Sequence, residues 1–285
     1  LVDQMEGSYG VVSVVKNPSQ NDLFISLNNH YLLGGLASLE DERRQADLPL
    51  FLHPHPKSVF ILGMATGITA GASLTHPVEL VVVVELIPGV VEAAEKYFEP
   101  YNFGLMKDPR VSIVLEDGRN HLFGTKDTFD VIIVDIVRPW GIGAGDLFSR
   151  EHFESAKKRL NPGGMFVQWL PAFELTFKEF SIIARTLLDV FPQVTLWRGN
   201  FSSTKPLLTL IAQEDGGTLT STSPFYVGDV TKHRALFADA PLQTDDRPVI
   251  DYIAAVPKFL DAKGSVPWLT GAELEALLSK LRDIR

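Results

Sequence analysis

The segments Ser58–Leu62, Leu80–Val84, Val111–Leu115 and Val131–Val134 are short, almost wholly apolar runs rich in Val and Ile. Runs of this length suit strands rather than helices. A strand with one wet face alternates apolar and polar residues; a continuous run is buried on both faces. Such strands occur in parallel sheets covered by helices on each side. The intervening sequence fits. Gly63 to Gly71 is a glycine-containing turn opening a helix, and Val90 to Phe98 places Ala93, Ala94 and Tyr97 on one helical side. This constraint predicts an α/β fold with a mostly parallel sheet covered on both faces.

The remaining sequence extends that core. Val11–Val15 and Leu23–Leu27 read as strands about a turn at 17–22, and Glu40 to Leu50 leads into a helix. Phe153 to Leu160 reads as a helix closed by Asn161-Pro162-Gly163-Gly164, followed by a fifth strand at Met165–Leu170. Phe177–Val190 is a long amphipathic helix, and Val194–Trp197 and Leu207–Ala212 finish the sheet. Val249–Ile253 is predicted as a strand and Ala272–Leu281 as a terminal helix. The expected division is a small N-terminal β-domain over 1–47, a nucleoside-binding core over 48–213 and a C-terminal extension over 214–285.

Composition removes several functions. Cysteine is absent among the 285 residues, so thiolate nucleophiles, disulfides and Cys-based metal sites are excluded. The net charge of −9 argues against nucleic acid, whose affinity rests on basic side chains. His53-Pro54-His55 lies in an extended turn with no nearby carboxylate, so no metal is expected. There is no Gly-x-Ser-x-Gly elbow and no phosphate-binding Gly-x-x-x-x-Gly-Lys loop. No apolar run approaches the ~18 residues of a membrane span. The chain begins at Leu1 without Met, which leaves open a longer native chain with a membrane portion. A cytoplasmic location is expected.

Four features follow the four core strands in turn, at the carboxyl ends where open α/β sheets bind ligands. Gly63, Ala65, Thr66 and Gly67 form a small-residue turn after the first. Glu85 ends the second, where a carboxylate can accept from ribose hydroxyls. Asp117 and Gly118 follow the third, placed for an adenine edge, and Asp135 follows the fourth, facing the reacting centre. Each alone has an ordinary explanation as a tight turn, solvated cap or helix start. All four in register point to a nucleoside-type ligand. A dinucleotide loop would need a further glycine where Thr69 stands. Gly63-x-Ala65-x-Gly67 instead resembles the S-adenosylmethionine-binding turn of class I methyltransferase-like folds.

The order of motifs resembles the spermidine synthase (polyamine aminopropyltransferase) family over about residues 7–212. The likeness runs through Ser8-Tyr9, Leu48-Pro49-Leu50, His53-Pro54, the Gly63–Gly67 turn and Val84-Glu85. It continues through Asp108-Pro109-Arg110-Val111, Asp117-Gly118, the Phe129–Asp135 segment, Leu147-Phe148, Phe153, Gly163-Gly164 and Gln168. Pro139-Trp140, Gln168–Pro171 and Thr244–Pro248 resemble a divergent bacterial branch, often fused to a transporter-like membrane region. The resemblance implies a small β-domain before a Rossmann-like sheet, a homodimer, decarboxylated S-adenosylmethionine as donor and a diamine acceptor. It assigns ribose to Glu85, adenine to Asp117 and the attacking amine to Asp135. Tyr9, Arg138, Trp140 and Gln168 are the candidate substrate contacts.

This sequence departs from the family pattern at four places. Thr66 replaces the turn's Asp, which pairs with the donor's ammonium. Asp41-Glu42-Arg43 stands where the family has Tyr-His/Gln-Glu, Arg138 replaces the second Asp of Asp-x-x-Asp-Pro, and Gly10 replaces a glutamine. Arg138 and Thr66 would favour a carboxylate over a polyamine, so intact S-adenosylmethionine is an expected ligand beside its decarboxylated form. The leading expectation is aminopropyl transfer to an amine. The rivals are methyl transfer, intramolecular donor cleavage and a non-catalytic nucleoside-binding module.

Overall fold

The structure, a computed structural model, describes residues 1–19, 21–29, 31–135, 141, 143–214, 219, 222–254 and 266–282. The chain divides into two compact units. The first comprises residues 1–125 and 129–135, and the second residues 126–128 and 136–285.

The first unit carries two sheets. β1 (Asp3–Gly7), β2 (Gly10–Asn17), β3 (Asp22–Leu27) and β4 (Tyr31–Gly35) form an antiparallel meander in sequential order. Sequence reading found β2 and β3 but not the edges β1 and β4, whose polar and glycine-rich residues lack a strong strand pattern. The helix α1 (Leu39–Leu52) follows, with Glu40, Asp41 and Glu42 in its first turn, where the helix dipole favours acids. The four apolar runs then form β5 (Ser58–Leu62), β6 (Leu80–Glu85), β7 (Val111–Leu115) and β8 (Phe129–Val134).

Pairings among these strands are parallel, in the order β8-β5-β6-β7. Leu62 sits opposite both Val84 and Val134, and Glu85 opposite Leu115, so the carboxyl ends are aligned. The order reverses at β5: β6 and β7 build to one side, and β8 returns to the other. A crevice at such a switch point is where open α/β sheets take ligands. Asp130 Oδ2 accepts from Lys57 N at 2.8 Å and Ser58 N at 2.9 Å, fastening the opposite ends of β5 and β8.

Helices α2 (Ile68–Ser73), α3 (Pro88–Phe98) and α4 (Gly118–Gly124) connect these strands. Pro88 opens α3, where its fixed φ suits the first turn. Val12, Val14 and Ile25 of the meander pack with Ile68, Val90, Ala93 and Phe98 into one buried cluster. The N-terminal sheet therefore shares its core with α2 and α3. Gly71 lets α2 pack closely on the segment after α3: a Cβ there would lie 2.1 Å from the Asn102 carbonyl oxygen.

The second unit contains α5 (Arg150–Lys158), β9 (Leu160–Pro171), α6 (Phe177–Val190), β10 (Gln193–Arg198), β11 (Leu207–Gln213) and β12 (Tyr226–Asp229). Its described pairings, β9 with β11 and β10 with both β11 and β12, are antiparallel. The mostly parallel expectation thus holds for β5–β8 and gives way to antiparallel pairing here. Apolar runs carry no information on strand direction. The Asn161–Gly164 segment does not close the preceding helix. It lies inside β9, with Gly163 supplying a positive φ of 79°.

Val249–Ile253, expected as a strand, is the helix α7. A five-residue apolar run is ambiguous by periodicity, and here the Asp251 carboxylate accepts from Gly145 N at 3.2 Å. Thr176 and Glu179 form a reciprocal capping box on α6, whose bounds match the sequence reading. The terminal helix α8 spans Gly271–Leu281. Among the described residues, no helix is long and apolar enough to cross a membrane.

Gly71→Ala is expected to destabilise the chain by about 1–3 kcal/mol through overpacking against Asn102. Thermal melting that left the midpoint unchanged would contradict this packing.

Candidate functional site

The turn between β5 and α2 needs backbone shapes that few residues adopt. Gly63, Ala65 and Gly67 have φ values of 89°, 49° and 77°. Glycine adopts these without a Cβ penalty; alanine at 65 is the smallest side chain that can be forced there. Three left-handed residues in five turn the chain sharply away from β5. A Cβ built on Gly63 would lie 3.7 Å from the Asp135 Cβ, so the turn and the end of β8 are neighbours.

Glu85 secures the turn from the side. Its Oε2 accepts from Met64 N at 2.9 Å and its Oε1 from Ile87 N at 2.9 Å. The residue is 7% exposed, and burial raises its carboxyl above the ordinary Glu range despite the Met64, Ile87, Leu86 and Ala65 amides that favour the anion. A carboxylate has about four lone-pair sites, so a diol donating two hydrogen bonds remains within its capacity.

Asp117 caps α4, accepting from Asn120 N at 2.8 Å. Gly118 lies against β5: a Cβ there would meet the Leu62 Cγ at 2.5 Å. The Glu116 amide donates to the Glu85 carbonyl at 3.1 Å, drawing the ends of β6 and β7 together. Asp135 follows β8 directly, its amide donating to the Leu62 carbonyl at 3.2 Å. The structure therefore gathers the turn, Glu85, Asp117-Gly118 and Asp135 at one edge of the parallel strands.

Tyr9 is 46% exposed in the tight turn between β1 and β2. Gln168 is buried within β9, donating through Nε2 to the Trp169 carbonyl at 3.2 Å. Arg138 and Trp140 lie outside the described residues. Thr66 belongs to the turn, but its side chain is fully buried and bonds to the Glu42 carboxyl of α1. Asn102 adds a second hold, donating from Nδ2 to the Thr66 carbonyl at 3.3 Å.

Sequence reading assigned no role to Glu42 or Asn102. The signal for Glu42 was its helical spacing with Gln45, Ala46 and Pro49, which places a carboxyl on a buried face. Asn102 lies in an irregular segment and gave no sequence signal. Among the described residues, no group of three or more His, Asp or Glu is arranged to hold a metal.

A family model for the spermine/spermidine synthase domain matches residues 42–198, more than half of the chain. The polyamine aminopropyltransferases of Salmonella arizonae and Salmonella newport are 40% identical over 121 residues, 42% of this chain and 42% of each relative. The chain thus matches these relatives over less than half of their length. A spermidine synthase solved with the transition-state analogue AdoDATO superposes with a TM-score of 0.65 at 24% identity, covering 91% of this chain and 85% of that one. The Thermotoga maritima spermidine synthase gives 0.64 at 23% identity with the same coverage. At these identities the likeness shows the fold, which is methyltransferase-like.

Glu85→Ala orphans the buried Met64 amide and is expected to cost about 1–3 kcal/mol of stability and to abolish nucleoside binding. Because hydroxyl donors favour the anion, wild-type affinity for methylthioadenosine should fall as pH is lowered, beginning above the ordinary Glu range. In Glu85→Gln this pH dependence should be absent, as calorimetry across the acid range will show.

Proposed function

We propose, from the premise that the chain belongs to the spermine/spermidine synthase family, that it transfers an aminopropyl-type group from an S-adenosylmethionine-derived sulfonium to an amine. The observation carrying this reading is Asp135 beside Gly63 at the switch point, with Glu85 alongside. Glu85 would hold the ribose and Asp117 the adenine edge. Asp135 would face the reacting carbon. Arg138, Trp140, Tyr9 and Gln168 remain proposed substrate contacts. The homodimer and the three-part division of the chain are likewise proposals.

The reaction needs position more than covalent help from the protein. The amine nitrogen attacks the carbon bonded to sulfur, the carbon–sulfur bond breaks, and the thioether leaves with both electrons as methylthioadenosine. An amine with a pKa near ~10.4 is mostly protonated at pH 7, and presenting it neutral costs roughly 4.6 kcal/mol. A carboxylate at 135 offsets part of that cost by accepting the ammonium proton or orienting the free lone pair. In-line alignment with the sulfur supplies much of the remaining acceleration.

The donor's tail is a separate question. The turn Gly63-Met64-Ala65-Thr66-Gly67 contains no acid, and the Thr66 side chain is fully buried. A turn without a carboxylate has no charge that would repel the carboxylate of intact S-adenosylmethionine. Intact S-adenosylmethionine is therefore proposed to bind at least comparably to the decarboxylated form. Calorimetry showing binding of the decarboxylated form alone would overturn this.

Asp135→Asn keeps the shape and removes the base, and should lower turnover by about 10²-fold or more with a smaller effect on donor binding. Products separate the chemistries. Methylthioadenosine together with an aminopropylated amine supports the proposed transfer. S-adenosylhomocysteine would indicate methyl transfer, and methylthioadenosine without an amine product would indicate donor cleavage.

A further inference from the structure

Behind the Gly63–Gly67 turn lies a buried carboxyl that the proposed reaction does not use. Glu42 sits in the first turn of α1, 8% exposed. Its Oε1 accepts from Gly35 N at 2.9 Å and from the Ser38 hydroxyl at 2.7 Å. Its Oε2 bonds to Thr66 Oγ1, which also accepts from Ile68 N at 3.3 Å. The Thr69 hydroxyl donates to the Glu42 carbonyl at 3.1 Å. Gly34 leaves the space, since a Cβ there would lie 2.8 Å from Glu42 Oε1 and 3.1 Å from Thr66 Cγ2. One side chain thus ties the end of β4, the start of α1 and the ligand-facing turn.

We propose that Glu42 is a positioning residue that sets the nucleoside-binding shape of the Gly63–Gly67 turn through Thr66. This rests on the reading of that turn as the donor site. Thr66 Oγ1 accepts from Ile68 N and donates its own proton to Glu42 Oε2, so the hydroxyl relays between the carboxyl and the turn backbone. Burial and the Asp22 carboxylate at the start of β3 raise the Glu42 carboxyl, against the lowering effect of the Thr66, Ser38 and Gly35 donors. Its charged neighbours on α1 are engaged elsewhere: Asp41 pairs with Arg44, and Arg43 with Glu40 and the Phe103 ring. Glutamine at 42 keeps a carbonyl oxygen that can accept from Gly35 N and the Ser38 hydroxyl and an amide that can bond Thr66 Oγ1.

The test measures methylthioadenosine affinity by calorimetry and amide hydrogen exchange across residues 63–68. Glu42→Ala should weaken binding at least ten-fold and speed exchange in the turn. Thr66→Val, which removes only the hydroxyl, should move both in the same direction. The double variant should be no worse than Glu42→Ala, because both act through one contact. Glu42→Gln should recover most of the loss. A merely structural glutamate would lower the melting midpoint and leave affinity and turn exchange unchanged, overturning the proposal. If Glu42→Ala does not fold, Glu42→Gln and Thr66→Val still decide. Should the wild type fail to bind methylthioadenosine, the donor-site reading fails, while turn exchange in the variants still reports whether Glu42 shapes the turn.

Discussion

A buried carboxylate at the end of β6 holds together the carboxyl ends of the parallel strands. Glu85 accepts amides from the turn after β5 and from the start of the next connection, so three backbone segments share one side chain. Without it, the Met64 amide would be buried without this acceptor, at a cost of about 1–3 kcal/mol. The strained turn depends on that anchor, because Ala65 holds a left-handed conformation that an untethered alanine avoids. Asp130 performs the matching task at the opposite ends of β5 and β8. The parallel strands are thus fastened at both ends by acids whose acceptors face backbone donors, leaving Val and Ile to fill the interior.

This arrangement makes binding and stability hard to separate. In the proposed ribose contact Glu85 must be ionised to accept the hydroxyls, yet burial raises its proton affinity in the folded chain. Glu42 is raised for the same reason. A carboxyl whose folded pKa exceeds its unfolded value stabilises the fold at low pH, and that contribution is lost as pH rises through the folded pKa. The ionisation that equips Glu85 for a ligand therefore works against the unliganded fold. A bound nucleoside, which supplies donors to the anion, relieves this conflict.

The parallel strands were legible because burial on both faces leaves a continuous apolar run, and the grouping of the candidate acids at one edge was legible because they stand immediately after those runs. Glu85, Asp117 and Asp135 needed only the rule that ligands meet strand ends. The antiparallel β9, β10 and β11 were found as strands but not oriented, since Val194–Trp197 reads the same in either direction, and the four-residue β12 was not found. Val249–Ile253 became a helix because a tertiary contact from Asp251 to the Gly145 amide decided what five residues could not. Glu42 and Asn102 escaped notice for a related reason. Their partners lie 24 and 36 positions away, and no local pattern encodes a hydrogen bond across that separation.

The site divides recognition between two kinds of structure. The nucleoside half rests on backbone amides and strand-end acids, which follow from the fold itself. Recognition of the donor's tail and the acceptor rests on side chains that can change without disturbing the strands, and there this chain departs from the family pattern. Thr66 stands where that pattern has an acid, and its hydroxyl is held by the Glu42 carboxyl of α1, which also accepts from Gly35 and Ser38. A carboxyl occupied by three protein donors supports the turn's backbone, whereas an acid in the turn itself would present a charge, so in the proposed reading the two arrangements keep one turn shape and differ in the charge offered to the donor's tail.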